Sequence, residues 1–175
     1  MTAPTTPPTD DKDWTFVLTE GCAECGFDPA VDLHGTGARI RSTLPRWRAA
    51  LARSGATNRP APLVWSPLEY GCHVRDVFRI FAARLALMLG EDGATFANWD
   101  QDATAVTDRY WAQDPTVVAG ELEGSGEALA AAFDAVPSSA WGHRGIRSNG
   151  SQFTVATFAA YLLHDVEHHL HDVHA

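Results

Sequence analysis

The stretch WSPLEYGCHVRDVFRIFAARLALMLG, residues 65–90, decides the fold because it contains the best-marked helix start in the chain. Ser66 suits the N-cap, Pro67 suits the first helical position, and Glu69 completes a capping box. The helix is predicted to run to Leu89, where a glycine follows and ends it. Its buried side is expected to carry the apolar residues that recur every three or four positions, namely Tyr70, Val74, Val77, Phe78, Phe81, Leu85 and Met88.

Three further segments predict helices, over residues 33–53, 115–136 and 154–173. Within the first, Pro45 predicts a kink or an earlier boundary, and Thr154 is expected to cap the last. The first segment carries an apolar stripe made of Ile40, Leu44, Trp47 and Leu51.

The connections between these helices differ in character. Residues 91–114 form a long, aromatic loop, which in a small domain is usually packed or functional. Residues 137–152 contain Asn149-Gly150 and read as an irregular or hairpin connection. The sequence therefore predicts an all-α fold, an antiparallel four-helix bundle with a long loop and a short hairpin before the last helix.

Composition indicates one soluble domain. The chain has 175 residues, of which 45% are hydrophobic and 20% charged, which suits a single core. A net charge of −9 argues against nucleic-acid binding, and no stretch has the length and apolar character of a membrane span. The polar, Pro/Thr-rich start does not resemble a signal peptide, so a cytoplasmic protein is expected. We predict a flexible leader over residues 1–30 and one domain over residues 31–175.

The last helix contains HDVEHHLHD, residues 164–172, which suggests a metal site. Residues four apart share a helix face, so His164 and His168 can direct two imidazoles at one ion, with a third ligand from elsewhere. His73, on the inward side of the 65–90 helix, is the expected third ligand. Three protein ligands on zinc, or alternatively nickel, leave a position open for water or substrate. The alternative is a solvated histidine-rich tail, and His171 shares a face with His168.

Two carboxylates lie beside these histidines in the sequence. Asp76 follows His73 by three residues, and Asp165 follows His164 directly. Either carboxylate could orient a ligand through the free N–H of an imidazole. The simpler interpretation is a surface group paired with a nearby arginine.

The leader carries Cys22-Ala23-Glu24-Cys25, a CxxC motif. Such a motif can be half of a zinc site, a redox dithiol, or a turn that carries thiols incidentally. A zinc knuckle needs a second ligand pair, for which only His34 and Cys72 are apparent, in no standard arrangement. Structural or incidental use of Cys22 and Cys25 is therefore preferred, redox activity comes next, and a second metal last.

The segments around residues 65–77, 153–155 and 164–173 together resemble the DinB-like superfamily, over most of the chain from about Leu33 onward. The resemblance implies a four-helix bundle of up-down-down-up order. It also implies one metal-ligand histidine on the second helix and two on the last, which fall here on His73, His164 and His168. Some relatives have a Glu in place of one of the last-helix histidines, so Glu167 or His171 could replace a ligand.

The resemblance also implies a function. The superfamily includes thiol-dependent enzymes related to mycothiol-dependent maleylpyruvate isomerase and to bacillithiol transferases. We therefore predict a metal-dependent S-transferase or isomerase that uses a small-molecule thiol and an electrophilic substrate. The Ala-, Arg- and Gly-rich composition suggests a high-GC genome, in which mycothiol would be the natural thiol. The alternatives are a non-catalytic, stress-related metal-binding bundle, which could act as a homodimer, and a metal-dependent hydrolase. The predicted substrate pocket is lined by Trp99, Asp100, Tyr110 and Tyr161.

Overall fold

The computed structural model describes residues 4–9 and 12–175. Within them, the structure contains six α-helices, three short strands and four short 3-10 helices. The helices are α1 (Val17–Glu20), α2 (Thr36–Leu51), α3 (Pro67–Gly90), α4 (Gln101–Thr107), α5 (Pro115–Asp134) and α6 (Val155–Asp172). The strands are β1 (Ala94–Phe96), β2 (Arg144–Arg147) and β3 (Gln152–Thr154).

The start of α3 has the predicted capping box. The Ser66 hydroxyl accepts a hydrogen bond from the Glu69 backbone N–H, and Glu69 Oε2 accepts one from the Ser66 N–H at 2.8 Å. Arg59 Nε also donates to Glu69 Oε2 at 2.8 Å, so this carboxylate, although buried, has a cationic partner. The capping prediction and the predicted start of α3 are confirmed.

The four long helices form the bundle. Helices α5 and α6 each pack against both α2 and α3. Helix α2 continues through Pro45 without a break, so the predicted boundary there is absent. Gly126 allows the close approach of α5, because a Cβ there would lie 2.5 Å from Leu44 and 2.9 Å from Phe78.

The prediction of a purely helical fold needs a correction, because the structure also contains a small sheet. Strand β1 pairs in parallel with β2, and β2 pairs antiparallel with β3. The predicted hairpin is the β2–β3 pair, with Gly150 at a φ of 97° in its turn. The strands are only three or four residues long and β1 lies some fifty residues from its partner, so no local alternation reveals them.

The N-terminal segment packs on the bundle. Helix α1 contacts α6, and Val17, Cys22 and Phe27 belong to the hydrophobic core. The division into a leader and a domain at residue 30 stays a prediction, as does the up-down-down-up order. Among the described residues, none of the helices combines the length and the apolar character needed to cross a membrane.

Candidate metal centres

Helix α6 carries two pairs of side chains of the types that can bind metals, and the two pairs are offset by one residue along the helix. We call each pair a register of the helix. His164 and His168 form one i,i+4 pair, and Asp165 and His169 form another, rotated by one residue. Since successive residues are about 100° apart around a helix, the two pairs face different neighbours. The structure accordingly places two separate groups of ligand atoms along this helix.

The first group joins His73 of α3 to the second register of α6. Potential ligand atoms of His73, Asp165 and His169 lie within 4.8 Å of one another. Asp165 Oδ1 is 3.5 Å from His73 Nε2 and 3.8 Å from His169 Nε2. Ligands about 2.0–2.1 Å from a tetrahedral zinc ion are roughly 3.4 Å apart, so the two separations to Asp165 Oδ1 are already close to ligand spacing.

Hydrogen bonding within the protein leaves this group incomplete. His73 is only 1% exposed, and neither of its ring nitrogens has a hydrogen-bond partner among the described residues. Oδ1 of Asp165 is likewise buried without one. Buried polar atoms are rarely left unsatisfied, so these residues fit a bound cation. His169 Nδ1 lies 2.8 Å from Asp172 Oδ2, an arrangement that fixes the ring with Nε2 toward the group.

The acid–base state of Asp165 also suits a cation. Burial raises the pKa of this carboxyl, but the His73 imidazole beside it and the other histidines lower it further than burial raises it. The net shift of the Asp165 pKa is downward, so the carboxylate is ionised at neutral pH. A charged carboxylate between two imidazoles is a common ligand set for a divalent metal.

The second group joins the N-terminal segment to the first register of α6. Potential ligand atoms of Cys22, Cys25, His164 and His168 lie within 4.8 Å of one another. Burial, and then the neighbouring His168, lower the pKa of His164 to about 4, so its imidazole is neutral at neutral pH. Burial raises the pKa of the Cys25 thiol to about 11. All three cysteines of the chain are free thiols.

The structure thus divides the predicted ligand set. His164 and His168 lie together, as their spacing predicts, but their ligand atoms group with two cysteines. His73 instead groups with Asp165 and His169. The three-histidine site stays a prediction, and the geometry offers His73, Asp165 and His169 as a second assignment. Sequence reasoning missed His169, although Asp165 and His169 have the same four-residue spacing as the histidine pair.

The predicted orienting and replacement residues have other partners. Asp76 pairs with Arg75 and accepts a 2.6 Å hydrogen bond from the Tyr110 hydroxyl. Glu167 pairs with Arg39, and His171 is exposed. Asp165 belongs to the group with His73 and His169, and its orienting role stays a prediction.

A cleft of about 850 Å³ borders both groups. Trp99, Asp100 and Tyr161 line it, as the sequence predicts, and the Trp99 ring stacks on His73 at 5.3 Å between centroids. Tyr110, also predicted to line the pocket, is instead fully buried in the core. Asp100 has a second role as the N-cap of α4, where it accepts from the Ala103 N–H.

Arg147 of β2 is a further cleft residue that sequence reasoning missed. Its guanidinium lies over the rings of Phe153 and Tyr161, at 5.0 and 5.5 Å from the centroids. Its Nε is buried and has no hydrogen-bond partner among the described residues. No sequence signal identifies it, because the position of Arg147 depends on a strand of four residues.

Fold and site together define a helical bundle with metal-type donor groups beside a polar cleft. The family model of the DinB superfamily matches residues 36–173, and the chain belongs to this superfamily. A similar solved structure is that of YfiT from Bacillus subtilis, described as a probable metal-dependent hydrolase with an unusual four-helix bundle topology. The two share 12% sequence identity with a TM-score of 0.71, over 83% of this chain and 89% of YfiT. The sequence matches no curated protein significantly.

Proposed function

We propose that this protein is a divalent-metal-dependent enzyme whose ion is held by His73, Asp165 and His169. The observation that carries the proposal is the grouping of potential ligand atoms of these three residues within 4.8 Å of one another. Among the described residues, both ring nitrogens of His73 and Oδ1 of Asp165 are buried there without a hydrogen-bond partner. Zinc is the expected metal, since two imidazoles and a carboxylate suit it, and nickel is the alternative. A divalent cation with three protein ligands lowers the pKa of a thiol or a water molecule in its open position.

Residues next to the proposed ligands have distinct roles in this proposal. Asp172 holds the His169 ring through Nδ1 and so directs Nε2 toward the ion. Trp99 covers one face of His73 and limits the access of bulk water from that side. Asp165, ionised at neutral pH, would partly neutralise a bound cation. The chain itself would thus position the ion and shield it.

Arg147 favours a substrate with an anionic group. Its Nε is buried without a hydrogen-bond partner among the described residues, and its guanidinium lies over the rings of Phe153 and Tyr161 in the cleft wall. A planar guanidinium recognises carboxylates through paired hydrogen bonds. We therefore propose that the electrophilic substrate is a small molecule with a carboxylate that Arg147 binds.

The proposed reaction is transfer or isomerisation through a low-molecular-weight thiol of the mycothiol type. The DinB family membership and the Ala-, Arg- and Gly-rich composition support a thiol cosubstrate. Hydrolysis is the second candidate, favoured by the description of the similar structure YfiT. A non-catalytic metal-binding bundle is the third, and the cleft beside the ion favours an enzyme over it.

The test compares metal content and activity in untagged protein purified without a nickel column. Wild type, His73→Ala and His169→Ala are assayed for conjugation of mycothiol to monochlorobimane, and for ester hydrolysis without thiol. We expect thiol-dependent conjugation in the wild type and background rates in both variants, each with one metal equivalent fewer. His143→Ala is the control, because His143 lies outside both groups and should leave metal content unchanged.

Each outcome decides between the candidates. Hydrolysis without conjugation would favour the hydrolase, and bound metal with neither activity would favour the non-catalytic bundle. Full metal content in His169→Ala would refute the assignment of this ligand. Arg147→Met should raise KM for a carboxylate-bearing electrophile more than for an uncharged one, while kcat changes little.

A further inference from the structure

We propose a second, structural zinc site whose ligands are Cys22, Cys25, His164 and His168. This site is distinct from the ion of the proposed function, and neither depends on the other. This site is supported by its donor set, the local backbone, the buried imidazoles and the aromatic shell around them.

The donor set and its spacing are those of a closed zinc centre. A CxxC pair and an i,i+4 histidine pair supply two sulfurs and two nitrogens, a combination that zinc binds tetrahedrally. Cys22 Sγ lies 3.6 Å from His168 Nδ1. In a tetrahedral zinc site with Zn–S of about 2.3 Å and Zn–N of about 2.0 Å, that separation is about 3.5 Å. These two atoms are therefore already at ligand spacing.

The backbone between the two cysteines forms a turn that directs both thiols to one side. Gly26 N–H donates to the Cys22 carbonyl at 2.8 Å, and Cys22 N–H donates to the Phe27 carbonyl at 2.9 Å. Gly26 has a φ of 77°, a left-handed conformation that glycine adopts without strain. At Gly21, with a φ of 72°, a Cβ would lie 2.5 Å from the Phe27 carbonyl oxygen. The turn is therefore held by its own backbone hydrogen bonds.

The histidines are placed as ligands and not as ordinary core residues. His164 is 4% exposed, and its Nε2 is buried without a hydrogen-bond partner among the described residues. His168 directs Nδ1 at a thiol, while its Nε2 lies 3.8 Å from carboxylate oxygens of both Glu24 and Asp172. Carboxylates behind a ligand imidazole are typical of zinc centres. A redox CxxC would need neither histidine.

Aromatic rings enclose the group. The Trp14 ring lies 5.4 Å from that of His164 and 5.0 Å from that of His168, and Phe27 lies 5.4 Å from His164 on another side. With four protein ligands and this shell, the site has no open position for a substrate, which is the property of structural zinc. Binding would release the two thiol protons to solvent and leave a neutral centre, two thiolates balancing the divalent ion.

Zinc at this site would cross-link the N-terminal segment to α6, and we call this link the zinc clamp. The same segment contributes Lys12, Asp13, Trp14 and Glu24 to the cleft wall. His164 and His168 each precede a residue of the first group, Asp165 and His169, by one position on α6. Zinc bound to the histidine pair would therefore fix the rotation of α6 about its axis, and it would also fix the part of the cleft wall that the N-terminal segment forms. The proposed zinc thus shapes the cleft without taking part in chemistry.

The first experiment is cobalt substitution of the reduced wild-type chain. Thiolate-bound cobalt gives intense ligand-to-metal absorption, which a site of imidazole and carboxylate lacks. We expect about two metal ions per chain, with thiolate absorption from one of them. Cys22→Ser and Cys25→Ser should each lower that absorption by about half or more, and the double variant should abolish it, whereas Cys72→Ser, at a buried cysteine outside the group, should retain it. Undiminished thiolate absorption in the double variant, or none in the wild type, would overturn the proposal.

A second comparison separates this site from the first one. If His73 and His164 bind different ions, His73→Ala and His164→Ala each lose one equivalent and the double variant loses both. If they share one ion, the double variant loses no more than either single variant, and the proposal is wrong. His73→Ala should keep the thiolate absorption, so failure of the proposed function does not imply failure of the clamp.

A third readout uses the unaltered chain and so does not depend on variants that fold. Alkylation of the reduced protein, followed by peptide mass spectrometry, reports each thiol separately. Cys22 and Cys25 should react at least tenfold more slowly with zinc bound than after chelation, while buried Cys72 is unaffected by the chelator. Equal rates for Cys22 and Cys25 in both conditions would contradict the proposal.

Discussion

The buried side chain of Glu69 both caps helix α3 and pairs with Arg59. Its carboxylate accepts from the Ser66 N–H at the start of α3 and from Arg59, and it is 1% exposed. Glu69→Ala removes the cap and leaves the guanidinium of Arg59 without its main partner. We expect a loss of about 3 kcal/mol in the free energy of unfolding, measured by urea denaturation.

The control for this prediction is Glu127→Ala. Glu127 also pairs with an arginine, Arg41, but the pair lies at the surface. Exposed ion pairs contribute little because water and salt screen them. Similar destabilisation in the two variants would show that burial does not set the contribution of Glu69.

Asp76 gives a pH-dependent prediction. Burial raises its pKa, but hydrogen bonds from Arg75 and Tyr110 and the charge of Arg79 hold it below the usual 3.8. At pH values between the folded-state pKa of Asp76 and 3.8, the unfolded chain binds more protons than the folded chain. The stabilisation that ionised Asp76 provides is therefore complete above about pH 4 and is lost as the pH falls below it. The unfolding free energy should fall more steeply below pH 4 in the wild type than in Asp76→Asn. Parallel pH profiles would contradict this.

Sequence reasoning at the residue scale succeeds where the signal is local. The capping box around Glu69 and the spacing of His164 and His168 depend only on neighbours along the chain, and the structure has both. Whether His73 faces His164 or His169 depends on the rotation of α6 by a single residue. That rotation is set by packing, which periodicity alone does not determine.

At the scale of elements, α5 offers a matched pair of glycines. A Cβ at Gly126 would lie 2.5 Å from Leu44 Cδ2, whereas a Cβ at Gly124 meets nothing within 4 Å. Gly126→Ala should therefore destabilise the fold by about 1–3 kcal/mol through overpacking between α5 and α2. Gly124→Ala should stabilise it by up to about 1 kcal/mol through helix propensity. Thermal unfolding of the two variants checks the opposite signs, and a shift in the same direction would refute the packing argument.

The long helices were predictable, whereas among the small elements only the β2–β3 hairpin was. Helix α3 has a strong cap and a long apolar pattern, helix α5 has a weaker pattern, and the observed bounds of both are within two residues of prediction. Helix α4, with seven residues, and strand β1, with three, are too short to develop a period. Both are held by partners distant in sequence: β1 by β2, and α4 by packing on α3.

At the scale of the whole molecule, the stability of the fold and the shape of the cleft depend on where the N-terminal segment packs. The sequence suggests a flexible leader, because residues 1–13 are polar and the CxxC has no neighbouring ligand pair. The histidines that lie beside the CxxC cysteines, His164 and His168, are some 140 residues away on α6, and no local sequence pattern spans that separation. In the structure this segment covers α6 and borders the cleft, so stability and the geometry of the site are linked through it.

Deletion of residues 1–30 tests this linkage directly. The deletion removes Val17 and Phe27 from the core, and each large buried apolar side chain contributes about 1.5–3 kcal/mol. We therefore expect Tm to fall by about 10 °C even in EDTA, where no zinc clamp contributes. Val17→Ala should reproduce part of this fall, whereas Glu20→Ala, at an exposed position of the same short helix, should leave Tm unchanged. An unaltered Tm in the deletion variant would instead support a dispensable leader, and the cleft wall would then have to be held by the bundle alone.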